Sequence, residues 1–155
     1  MLSKLYKMVL FFFLTVSILA QSPSFSQDSN KPTSNTTLTH TYWKLITLLK
    51  EDVESNKMSR EAHLIFETLE NGKGKFKGAS GCNAMLGTYQ SSDQNLTIDY
   101  KHIAMTRMAC PEGDVEMAFL KAIQGTVKWQ IKDHHLAFID MNSSVLAEFR
   151  ATDLK

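Results

Sequence analysis

His102, Met105, Met108 and Cys110 place four soft or borderline ligand atoms within nine residues, a donor set that suits Cu(I). Strand alternation, however, would put His102 and Met108 on one face and Met105 on the other. Cys110 has one possible cysteine partner in the chain, Cys82, so the two sulfurs can form a disulfide, stay as free buried thiols, or do metal or redox chemistry. They do not form a Cys-x-x-Cys motif. His134-His135 falls in a predicted turn, where adjacent side chains diverge. No Gly-x-Ser-x-Gly elbow, His-Glu-x-x-His pair or phosphate-cradling glycine loop occurs, so hydrolytic or nucleophilic catalysis has no sequence support, and no cofactor is expected. Arg107 sits between apolar neighbours; it either faces solvent or anchors a carboxylate or phosphate.

The chain's ends bear on the sulfur question. Lys4 and Lys7 precede an apolar run from Met8 to Ala20, the pattern of a secretory signal, with cleavage expected after Ser26 and Ala20 as the weaker site. The run is shorter than a comfortable membrane span, so no stable span is expected in the mature chain. In an oxidising compartment a Cys82–Cys110 disulfide is the simplest reading. The formal net charge of +1 becomes −1 once residues 1–26, which hold two lysines and no acid, are removed. That balance offers no electrostatic reason to expect a nucleic-acid partner. Residues 27–40 are polar and read as a flexible leader, 41–150 as one domain and 151–155 as a tail.

The domain itself reads as short strands separated by turn signals. Strands are expected at Tyr42 to Leu49, Ala62 to Leu69, Lys73 to Lys77, Met85 to Gln90, Leu96 to Tyr100, Ile103 to Met108, Thr126 to Ile131, Leu136 to Ile139 and Val145 to Phe149. Asn71-Gly72, Ser91 to Asn95, Asp133-His134 and Asp140 to Asn142 supply turns, and Lys50 to Arg60 reads as a solvated loop. One segment breaks the period: from Asp114 to Gln124, residues Val115, Ala118, Phe119, Ala122 and Ile123 share one helical face. The architecture expected is therefore α+β, antiparallel strands with one amphipathic helix covering an open face or end. Trp43, Met85, Met105, Phe119 and Trp129 are candidates to line a groove between helix and sheet.

The pattern Gly81-Cys82-Asn83-x-x-x-Gly87-x-Tyr89, followed by Thr106-Arg107-Met108-Ala109-Cys110, closely resembles the META domain, a family that includes the HslJ-like envelope proteins of bacteria. Trp43-Lys44-Leu45, Glu116 and the closing Leu136 to Phe138 and Val145 to Phe149 segments agree with it. The resemblance implies a strongly curved antiparallel sheet approaching a partial barrel, with one main helix. It also implies residence in the cell envelope, here the periplasm, and a part in stress tolerance. It carries no catalytic residue. Many relatives have a glycine where this chain has Ser80, and many are lipid-anchored through a cysteine that this chain lacks. The function expected is a non-enzymatic binding module that presents its groove to an envelope protein or a small hydrophobic ligand. The alternative is a periplasmic metal-handling or redox protein using residues 102–110.

Overall fold

The computed structural model describes residues 36–53, 58–68, 70–110 and 113–152. The expected signal segment, most of the leader and residues 153–155 lie outside the described residues. The strands are β1 (Tyr42–Leu48), β2 (Glu51–Asp52), β3 (His63–Phe66), β4 (Lys73–Ala79), β5 (Ala84–Ser92), β6 (Asn95–Ile98), β7 (Ala104–Met105), β8 (Lys128–Lys132), β9 (His135–Ile139) and β10 (Val145–Thr152). A single α-helix among the described residues, α1, spans Gly113–Gly125.

Residues with left-handed backbone close the hairpins. Asn71 (φ 49°) and Gly72 (φ 76°) join β3 to β4, Asp93 (φ 52°) turns β5 into β6, and Asp133 (φ 47°) with His134 (φ 63°) joins β8 to β9. Consecutive positive φ values match the right-handed twist of the flanking strands, and Asn, Asp and His tolerate them better than most side chains. Leu49 and Lys50 (φ 52° and 74°) make a further tight turn, so the segment expected as a loop folds β2 back onto the end of β1.

The sheet closes on itself. Strand order β10-β9-β8-β6-β5-β4-β3-β1 is completed by pairing of β1 with β10, from Tyr42↔Thr152 to Leu48↔Ala147. The result is a closed eight-stranded antiparallel barrel rather than the partial barrel expected. Closure uses Ala151 and Thr152, assigned above to a tail, because they pair with Trp43 and Tyr42. At the other end the folded unit begins earlier than His40: Leu38 is 7 % exposed, its carbonyl accepts from Trp43 Nε1 at 2.9 Å, and His40 N–H donates to Phe66 O. The seam between β6 and β8 is thin, with one registered pair, Asn95↔Lys128.

Eight strands enclose a space that side chains can fill. Here a continuous run of rings fills it: Tyr89 meets Phe66 at 4.9 Å, Phe66 meets Phe138 at 6.3 Å, Phe138 meets Phe149 at 4.9 Å, and Phe149 meets Phe119 of α1 at 5.9 Å. The T-shaped contacts among them suit the ring quadrupole. The helix thus inserts its apolar face, Phe119, Ala122 and Ile123, into the core. Glycines make room for the rings on the facing strands. Gly87 pairs with Phe76, and a Cβ at Gly87 would lie 2.7 Å from the Phe76 ring. Gly87→Ala is expected to cost about 1–3 kcal/mol by overpacking, read as a lower urea midpoint at unchanged slope.

Candidate functional site

The motif residues converge on one side chain, that of Asn83, at the start of β5. Asn83 is 4 % exposed and every polar atom of its amide is engaged. Oδ1 accepts from the Thr106 hydroxyl and from the Met108 backbone N–H, both at 2.8 Å. Nδ2 lies 3.1 and 3.0 Å from the two Glu116 carboxylate oxygens and 3.3 Å from Cys110 Sγ, so its two hydrogens serve the carboxylate and the sulfur. This pattern sets the amide orientation, since the reverse would point a carbonyl at a carboxylate. Glu116 also accepts from the Asn83 backbone N–H at 3.3 Å and from the hydroxyl of buried Ser80. It stands in the first turn of α1, where a negative charge is favoured by the helix dipole.

Covalent and backbone constraints complete this clasp. Cys82, 2 % exposed, and Cys110 form a disulfide with Cα atoms 6.0 Å apart. Gly81 adopts φ +107°, a conformation L side chains avoid, and its carbonyl accepts from Arg60 N–H at 2.9 Å. The clasp therefore ties three pieces that are remote in sequence: the lead-in to β5, the segment from Thr106 to Cys110, and the first turn of α1. Glu116 appears in the sequence only as a flanking agreement; its role was not readable there, because 33 residues separate it from Asn83 and no local signal links them. Ser80, noted as a departure from the family pattern, adds a donor to that carboxylate.

The expected strand over residues 103–108 is a ladder only at Ala104–Met105. Beyond Met105 the chain is bonded by the Asn83 side chain in place of a neighbouring strand: Thr106 N–H still donates to Ala84 O at 3.1 Å, and Met108 N–H then meets Asn83 Oδ1. Arg107 is exposed in this segment.

The soft-ligand set is not assembled. The Cys110 sulfur is bonded to Cys82, and His102 Nδ1 lies 2.8 Å from Asp99. Nor do the five groove candidates line one groove. Trp43 and Phe119 are fully buried, Met85 is buried, and Met105 and Trp129 are half-buried, with Trp129 Nε1 donating to Ser91 Oγ at 3.0 Å. The space between helix and sheet is taken by the helix's own Phe119. Tyr89 is a core ring whose hydroxyl donates to Glu67 O at 2.8 Å, and burial pushes its ionisation up. Two open depressions on the outer wall, about 390 and 630 Å³, flank Lys73 to Lys75. The larger is lined by the charged or polar His40, Glu67, Glu70, Lys73 and Lys77 together with Ile65 and Phe66.

A second polar cluster lies on the outer wall where β1 meets β3. Tyr42 stacks on His63, with ring centroids 4.4 Å apart, and its hydroxyl donates to Glu61 at 2.9 Å, while Lys44 pairs with the other Glu61 oxygen. Burial raises the Tyr42 phenol, reinforced by its bond to Glu61 and that residue's charge, to about 12. Burial alone would raise the Glu61 carboxyl, but hydrogen bonds from Lys44 and Tyr42, with the charges of Lys44 and His63, hold it below the ordinary carboxylate range. A depressed folded value means that the cluster's contribution is present above the unfolded value and lost as pH falls through the folded one. In this half-buried but solvent-reachable setting it is worth no more than about 1 kcal/mol. Glu61→Gln should therefore flatten the acid limb of a pH-stability titration while barely changing stability near pH 3.

Fold and clasp together define a small disulfide-braced β-barrel with one inserted helix. The family model for the META domain matches residues 36–153, and the chain belongs to that family. No curated protein matches it. Among solved structures, an NMR structure of a protein from Burkholderia xenovorans is similar, 24% identical with a TM-score of 0.58, covering 76% of this chain and 85% of that one. A second NMR structure is 16% identical with a TM-score of 0.55, covering 74% of this chain and 94% of its own. At these identities the likeness concerns the fold. Among the described residues no helix is long and apolar enough to cross a membrane.

Proposed function

We propose that this META-domain chain is exported to the bacterial periplasm and acts there as a non-catalytic binding module, engaging a partner protein at its surface in support of stress tolerance. One observation carries the reading: the interior that a small hydrophobic ligand would need is filled by rings from Tyr89 to Phe119, while the clasp holds residues 104–108 at the surface. A disulfide favours an oxidising compartment, and the lysine-led apolar run at the N-terminus favours export.

The test is native mass spectrometry of the protein recovered from an exporting cell, with site-specific photo-crosslinking from position 107 in the same cells. A chain of residues 27–155 lacking two hydrogens, free of small molecules and crosslinked to an envelope protein, is the expected result. A stoichiometric small-molecule adduct, or an unprocessed and reduced chain, would overturn it.

A further inference from the structure

Among the described residues, the segment held by Asn83 has one backbone edge without a backbone partner. Leu86 pairs with Ala104 and Met85 with Met105, Thr106 N–H donates to Ala84 O, and Met108 N–H donates to Asn83 Oδ1. Residues 104, 106 and 108 thus turn their backbone groups toward β5 and Asn83. Alternation along an extended chain turns those of Met105 and Arg107 the other way. Neither N–H has a backbone partner among the described residues. Ala104, Thr106, Arg107 and Met108 are exposed, Met108 at 54 %.

Proteins usually blunt a free strand edge with proline, a bulge or a covering element. Here residues 104–110 contain no proline, and the single charge is that of Arg107. The edge is also pre-ordered by the β5 ladder, by Asn83 and by the disulfide at Cys110, which lowers the ordering cost for an incoming strand. The edge carries one positive charge, that of Arg107, for which no acidic partner is found among the described residues. A second copy of the chain is a poor occupant, because antiparallel self-pairing about a two-fold axis would bring two Arg107 side chains near each other.

We propose that the 104–108 edge takes an extended acidic peptide segment of a partner protein by strand addition. The backbone groups of Met105 and Arg107 bond the incoming strand, the Arg107 guanidinium pairs with one of its carboxylates, and Met108 offers an apolar contact. This inference rests on the surface-binding reading above and names its site and ligand chemistry.

The probe is a short capped peptide alternating glutamate with valine and threonine, set against its lysine counterpart and titrated into oxidised, ¹⁵N-labelled residues 27–155. The expected result is slowed hydrogen exchange at the Met105 and Arg107 amides with the glutamate peptide. Arg107→Glu should reverse the preference between the two peptides by about tenfold or more. Arg107→Pro, which removes an outward N–H and leaves the β5 ladder intact, should abolish binding while keeping the spectrum folded. Perturbation confined to another surface would overturn this edge and leave surface binding standing. Silence toward both peptides, together with uptake of a hydrophobic probe, would overturn both. Protection that rises with protein concentration alone would assign the edge to a second copy and overturn the acidic partner.

Discussion

Replacing Asn83 with aspartate should destabilise the oxidised domain by about 3–4 kcal/mol and lower its Tm by about 10–15 °C. The substitution keeps the shape and the acceptor toward Thr106 and Met108 but turns a donor into a carboxylate oxygen facing Glu116. Two carboxylates in contact in a partly buried site cannot both stay charged without a large cost. The deficit should therefore shrink on acidification, when a proton on either carboxyl restores a donor. Asn83→Ala should cost about 3 kcal/mol with a weaker pH dependence, since it adds no second carboxylate while leaving the Met108 N–H, the Thr106 hydroxyl and Glu116 short of partners. Urea unfolding of both variants across pH distinguishes them. A loss below about 1 kcal/mol for either at neutral pH would mean that the clasp is not what orders residues 106–110.

Removing the disulfide by Cys82→Ser with Cys110→Ser should cost roughly 3–4 kcal/mol on the loop-entropy account of a cross-link. The half-cystines are 28 residues apart, and the loop they close contains β5, β6 and β7. The effect should not add to that of Asn83→Ala. Either change frees the segment from Thr106 to Cys110, so whichever is made second has less order left to destroy, and Asn83 Nδ2 also bonds Cys110 Sγ directly. A double-mutant cycle is expected to show a coupling of about 1 kcal/mol or more, whereas additivity within about 0.5 kcal/mol would mean that the two constraints act independently. Loss of strand addition in the disulfide-free protein, if it still folds, would place the binding edge under the same control.

Local patterns carried much of the fold. Asn71-Gly72 and Asp133-His134 announced their hairpins because few residues accept two consecutive positive φ values, and both turns stand as expected. The helix was legible because Val115, Phe119, Ala122 and Ile123 recur at helical spacing, and its observed span, Gly113–Gly125, differs by one residue at each end. Arg107 was legible as a charge with two possible roles, and its exposure came only with the folded chain. Closure of the barrel was not legible, because pairing of β1 with β10 joins residues 99 to 110 positions apart and leaves no periodic mark on either strand. The groove failed for a related reason: an apolar side chain reads the same whether it lines a cleft or fills one, and Trp43, Met85 and Phe119 fill the core.

By itself, then, the sequence determined most of the element types, the turns and the family to which Gly81 to Tyr89 and Thr106 to Cys110 belong. Those are properties of spacing and backbone preference within a few residues. Tertiary structure alone decided that the sheet closes, that rings occupy its interior, and that Asn83, Ser80, Glu116 and the disulfide converge to hold the segment from Thr106 to Cys110. Each of those depends on contacts between distant segments, and such contacts form only when the whole barrel has brought its ends together.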